Sequence, residues 1–181
     1  AQERINPSGI DIVRDSFGVP HIFANTDAEV AYGLAYAHSE DDFKTIQLGF
    51  LAGKSMLGLY KGKEGAKIDY ITQLLRCRNI VEEKYEKDIS AGYKKVLEGY
   101  CQGFNAYAGR HPEEVLVKKS LPLTPIDILS YSVLQLAVSC GADKALGQIY
   151  NGSIPILNEM APGGSNAYAF NGAKTTDRSE E

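Results

Sequence analysis

The sequence predicts an α+β chain that is mostly helical, with a β-hairpin at either end. Three observations carry this. Residues 10–24, "IDIVRDSFGVPHIFA", place β-favouring side chains on both sides of an Asp-Ser-Phe-Gly turn. Between residues 27 and 150, apolar side chains recur mainly at helical spacing. Residues 165–176 alternate in strand fashion about Asn171-Gly172, the favoured two-residue hairpin turn.

The elements follow in order. Ile10, Ile12, Val19, Ile22 and Phe23 supply the opening hairpin. Asp27 is the expected N-cap of the first helix, with Val30, Leu34, Ala37 and Asp41 on neighbouring turns. The charged run Ser39-Glu40-Asp41-Asp42 predicts a kink before Phe43, Ile46 and Phe50. The glycine- and lysine-rich "AGKSMLGLYKGKEG" reads as a loop, after which Ile68, Ile71, Leu74, Leu75 and Val81 resume helical spacing. Ser90 caps a helix whose Tyr93, Val96, Leu97, Tyr100 and Phe104 form a stripe, stopped by Gly109 and Pro112. Thr124-Pro125-Ile126-Asp127 is a helix start, with a capping hydroxyl, proline at the first position and an acid at the third. Ile126, Leu129, Val133, Leu136, Ala137 and Cys140 are its expected buried face, and Gly141 ends it. A short helical piece follows near Leu146, then a Gly- and Pro-bearing linker over 151–164. The organisation is thus a helical part over 1–150, opened by a hairpin within 1–26, then the linker, then strands over 165–181. A lone two-stranded hairpin is marginal in water, so the last strands are expected to join a sheet made elsewhere.

Bulk properties remove several function classes. A length of 181 residues with 44% hydrophobic and 23% charged side chains suits one folded domain. The net charge of −4 and the lack of a Lys/Arg cluster argue against nucleic acid as a partner. No apolar run approaches the roughly 20 residues that cross a bilayer, so no membrane partner is expected. Cys77, Cys101 and Cys140 are an odd number, widely spaced, with no close pair. They are expected to be small core residues rather than disulfides or zinc ligands.

Ser165, in "NEMAPGGSNAYAFNGAKTTD", raises the chemical question. It fails as a nucleophile elbow: a loop precedes it, a strand follows, and no histidine lies downstream. None of His21, His38 and His111 has the surroundings of a triad base. Cutting the chain before Ser165 would supply a base without any neighbour, because an α-amine titrates near about 7.7–8.0. Gly163 and Gly164 give the backbone the freedom that attack on the preceding carbonyl requires. On local chemistry alone, a loop serine in Gly-Gly-Ser-Asn remains the alternative.

"GGSNAYAFNGAKTTD" resembles the processing site of the penicillin acylase family of N-terminal-nucleophile (Ntn) hydrolases, and "IDIVRDSFGVPHIFANTDAEVAYGLAYAHSEDD" resembles that family's opening hairpin and helix. The resemblance implies a precursor that cuts itself before a Ser-Asn pair, releasing a short, mostly helical α-chain and a long β-chain. The C-terminal hairpin would then join the αββα Ntn core. Position by position, Ser165 matches the catalytic nucleophile, Asn166 the residue after it, and Gly164 the carbonyl attacked in self-cleavage. Arg14, Asp15, Gly18, Pro20 and His21 match the opening motif and are expected to be structural, His21 as a hydrogen-bonded fold residue. The helix before the linker contributes to the family's acyl pocket, which places Leu136 and Cys140 as substrate-binding candidates, with core packing the alternative for each.

The implied function is an amidohydrolase acting on a linear amide of an acylated small molecule, periplasmic or secreted, with its own β-chain as partner. Penicillin-type and acyl-homoserine-lactone-type substrates are both open. No cofactor is expected. Where some members place a calcium-binding glutamate, this chain has "GADKAL", and where many have Q-D-R it has Ser39-Glu40-Asp41-Asp42. The oxyanion hole is expected from β-chain groups beyond residue 181, so this stretch alone is expected to be inactive. The rival reading is a non-catalytic helical domain that binds a ligand or partner.

Overall fold

The computed structural model describes residues 4–152. The chain divides into two units, Ala1–Leu136 and Ala137–Glu181, and each is considered by itself.

The opening hairpin forms as expected: β1 (Asp11–Arg14) pairs antiparallel with β2 (Pro20–Phe23), Ile12 opposite Ile22 and Val13 opposite His21. Its inner isoleucines rest on α1 (Asp27–Gly53), where a Cβ at Gly33 would lie 2.7 Å from Ile22 Cγ2. Thr26, not Asp27, is the N-cap. Its hydroxyl accepts from Glu29 N while the Glu29 carboxylate accepts from Thr26 N at 2.9 Å, a reciprocal capping box that places Asp27 inside the first turn.

The predicted kink lies at Asp42 (φ −156°, ψ 67°), whose Oδ1 accepts from Thr45 N and so recaps the second half of the helix. Val30 and Leu34 are exposed, and the buried side of α1 is instead Ala31, Tyr32, Ala35 and Ala37. The reason is α5 (Ala91–Arg110), capped by Ser90 as expected. Gly99 and Gly103 of α5 meet the backbone of Ala28 and Tyr32, so the two helices touch main chain to main chain where only small residues fit. Beyond this seam Phe43, Phe50, Phe104 and Tyr107 interlock, with Phe43–Phe104 ring centroids 5.0 Å apart and Phe50–Phe104 5.5 Å apart. The seam also turns α5 away from the expected stripe. Leu97 and Phe104 are buried with Cys101, while Tyr93 is half exposed.

The stretch read as a loop is mostly helical. α1 runs to Gly53, and α2 (Gly58–Lys61) and α3 (Lys63–Leu74) follow. The Asp69 carboxylate accepts from Leu57 N and Gly58 N, both at 2.8 Å, supplying from α3 the cap that the local sequence lacks. Gly62 takes φ +60° at the joint, which favours glycine there. Arg76, left-handed at φ 54°, separates α3 from α4 (Cys77–Asp88).

The loop after α5 is held by side chains. Asn105 exchanges two hydrogen bonds with the Leu123 backbone, and Gln47 accepts from Leu116 N while donating to the Glu114 carbonyl. It delivers the chain to α6 (Pro125–Ser139), which starts at the predicted Thr124-Pro125 signal. The face of α6 differs from expectation: Asp127, Ser130 and Leu134 are buried, whereas Leu136 is 64% exposed. The apolar spacing points to the other side because the observed inner side includes polar Asp127 and Ser130, Asp127 being held inward by Lys54 and Arg78. Contacts set the inner side. Tyr131 packs onto α1 so closely that a Cβ at Gly53 would stand 2.7 Å from Tyr131 Cα.

In the second unit, Gly141 has φ +87° and α7 (Ala142–Tyr150) is the short helix anticipated near Leu146. Cys77 and Cys101 are buried as expected, but Cys140 is exposed. Among the described residues no helix is long and apolar enough to cross a membrane.

Candidate functional site

Gly164, Ser165 and Asn166, with the linker and the closing strands, lie outside the described residues. Of the other candidates, Leu136 is on α6 about 200° round the helix from buried Leu134, facing away from the α1 contact. Cys140 follows the end of α6 and is exposed. For neither is core packing observed within its own unit.

The opening motif is a self-contained structural joint. Asp15 accepts from Phe17 N and Val19 N at 2.9 and 3.0 Å through Oδ1, and Oδ2 lies 3.2 Å from His21 Nε2. His21 first, then these backbone donors, hold the Asp15 carboxyl below its usual range. Gly18 has φ +83° in the turn and donates to the Asp15 carbonyl. Arg14 reaches the Gly18 carbonyl at 2.9 Å, and also Glu40 at 3.2 Å and Asp41 at 2.8 Å, beside the α1 kink. Asp15, Gly18 and His21 are occupied in closing the hairpin turn, and Arg14 ties the hairpin to α1.

A second charged site was not legible in the sequence. Asp127, only 1% exposed, accepts through Oδ2 from Lys54 Nζ at 2.8 Å and from Thr124 N and Oγ1 at 2.9 and 2.8 Å. Its Oδ1 accepts from Arg78 Nη1 at 2.8 Å. Burial pushes this carboxyl up, but Lys54, Thr124 and Arg78 together overcome it and hold Asp127 below the usual range. The helix-start motif explains the bond to Thr124. Nothing local announces partners 73 and 49 residues away.

His111, Glu113 and Glu114 bring ligand-type atoms within 4.8 Å of one another, the grouping among the described residues that could approach a metal ion. His111 is otherwise occupied in stacking on Tyr107 at 4.3 Å, and Tyr107 donates to Glu114.

A family model described as penicillin amidase matches residues 9–179, from the hairpin through Ser165. The chain belongs to that family. Within it, penicillin G acylase of Escherichia coli is 29% identical over 118 residues, 62% of this chain and 14% of that protein. Acyl-homoserine lactone acylase PvdQ of Pseudomonas fluorescens is 24% identical over 149 residues, 78% of this chain and 19% of that protein. The chain therefore spans less than a fifth of the length of these curated relatives. In fold it is similar to a thermostable penicillin G acylase from Alcaligenes faecalis, with a TM-score of 0.56 at 21% identity, covering 88% of this chain and 98% of that one. The expected family is thus established, and the helical, hairpin-opened architecture with it.

Proposed function

We propose that this chain is the α-chain and first β-chain strands of an amidohydrolase precursor, with Ser165 as its self-released nucleophile. The observation that carries the reading is the family match over residues 9–179, a span that holds both the opening motif and the Gly164-Ser165 pair. In processing, the Ser165 hydroxyl attacks the Gly164 carbonyl, the peptide nitrogen leaves as the new α-amine, and water hydrolyses the resulting ester. In turnover, that amine accepts the hydroxyl proton, directly or through water, as Ser165 attacks a linear amide. The acyl-enzyme is then hydrolysed, and Asn166 supports the site beside the nucleophile. This chemistry requires no cofactor.

The substrate is an acylated small molecule with an apolar acyl group. Leu136, and separately Cys140, are the side chains proposed to meet it, a role that suits the exposure of both. The outward side of the hairpin carries Val13, Phe17, Val19 and Phe23, each more than half exposed. Clustered exposed apolar groups favour cover by another chain, which supports the β-chain of the same precursor as the partner. The proposed compartment is periplasmic or extracellular.

The test is the intact mass of the full-length gene product with and without Ser165→Ala. The expected result is cleavage between Gly164 and Ser165 in the wild type alone, accompanied by amidase activity. An uncut wild type without amidase activity would leave Ser165 as a loop serine on a helical binding domain.

A further inference from the structure

Asp127 stands where three helices meet. One carboxylate oxygen takes Arg78 from the first turn of α4, and the other takes Lys54 from the C-terminal cap of α1. The same carboxylate closes the α6 start through Thr124. The first turn of α6 therefore cannot slide or rotate without breaking bonds to two other helices. One turn further on, Tyr131 rests on Gly49 and Gly53 of α1 with no space for even a methyl group between them.

Together these contacts make α6 a short lever. With Tyr131 as fulcrum, Asp127 lies about 6 Å along the axis on one side and Leu136 about 7.5 Å on the other. A tilt that displaces Asp127 by about 1 Å displaces Leu136 by a similar distance the opposite way. Misplacements of this size near a bound substrate can cost as much as about 100-fold in rate.

We infer that Asp127, through Lys54 and Arg78, is a positioning residue that sets where α6 presents Leu136 to the acyl group. The inference rests on the proposed role of Leu136 in acyl binding. A buried ion pair is costly to desolvate and seldom needed for stability alone. Here its geometry delivers a defined helix direction to a side chain of α6 that the core does not hold.

The experiment uses the full-length processed enzyme and straight-chain acyl 4-nitroanilides from butanoyl to dodecanoyl, with kcat and KM measured for each. Leu136→Ala reports whether α6 forms the acyl wall, and its expected effect is a change in the preferred acyl length. Asp127→Asn and Arg78→Met are expected to raise KM for the long acyl chains by about fivefold more than for the short ones. Arg78→Lys, which keeps the cation, is expected to restore the wild-type ranking. A purely structural role would instead lower the amount of active enzyme and scale kcat equally across the series. Arg78 is half exposed, so its variants decide the matter if Asp127→Asn does not fold. If Leu136→Ala shifts the ranking while Arg78→Met stays parallel to wild type, the positioning role is overturned and the acyl wall stands. If Leu136→Ala leaves the ranking unchanged, the acyl-wall reading fails and the positioning role falls with it.

Discussion

Replacing Gly103 by alanine tests the main-chain seam between α1 and α5. The added Cβ would stand 2.9 Å from the Tyr32 carbonyl carbon and 3.0 Å from its Cα, besides overlapping the carbonyl oxygen. Carbon atoms prefer about 3.5–4.0 Å, so α5 must retreat by something near ~1 Å. Both contacting groups are helix backbone and cannot rotate aside. The retreat also loosens the Phe43–Phe104 contact, one residue along. Overpacking of this kind costs about 1–3 kcal/mol, against which alanine returns about 1 kcal/mol of helix propensity. Gly109, in the same helix with nothing within 4 Å of its added Cβ, provides the control. Gly109→Ala should stabilise by up to about 1 kcal/mol. The two alanine variants are therefore expected to differ by about 2 kcal/mol, read as a shift of the urea midpoint followed by far-UV circular dichroism. Equal midpoints for Gly103→Ala and Gly109→Ala would refute the seam.

Three further outcomes are expected. Thr26→Ala should destabilise by about 1 kcal/mol and speed hydrogen exchange in the first turn of α1, because the capping box loses its hydroxyl. Asp127→Asn should cost about 3 kcal/mol at neutral pH by leaving Lys54 and Arg78 without their buried anion. Its folded carboxyl titrates below the unfolded value of about 3.9, so the wild-type advantage is full above that pH and shrinks as pH falls through the lowered value. Urea midpoints at pH 7 and pH 3 check this, and a gap that does not narrow would contradict it. Finally, Cys140 should be alkylated by iodoacetamide in the folded chain while Cys77 and Cys101 resist, since burial removes both from solvent and raises their thiols. Peptide mass mapping before and after denaturation gives the result.

The sequence carried those features whose causes are local. The hairpin turn at Asp15–Gly18, the Ser90 cap, the Thr124-Pro125 start and the charged kink at Asp42 each depend on neighbours within a few residues, and each is where the pattern places it. Long-range causes were not visible. The 52–65 stretch looks like a loop because its capping carboxylate, Asp69, belongs to the next helix. The inner face of α6 could not be read because an acid occupies a core position, and its cations come from other helices. Val30 and Leu34 looked like a core stripe, but α5 brings glycines against the α1 backbone at Ala28 and Tyr32 and so covers a different side of that helix. At the candidate site, the family motifs identified the opening joint, whose residues close on one another locally. The acid-and-two-cations cluster had no such signal.

The seam has a consequence for the order in which the chain can organise itself. Hairpin, kink and the Arg14–Asp41 tie all lie within the amino-terminal 53 residues of this sequence, so that piece can settle as soon as it is made. The surface of α1 that receives Gly99 and Gly103 must wait, uncovered, until about fifty further residues have been synthesised. That waiting surface carries Tyr32, Phe43 and Phe50 as well as Ala28 and Ala31, so aromatic rings stay uncovered until Phe104 and Tyr107 of α5 arrive. The close glycine seam thus sits beside an aromatic face whose cover arrives late, so completion of α5 is the step that removes an association-prone surface during synthesis.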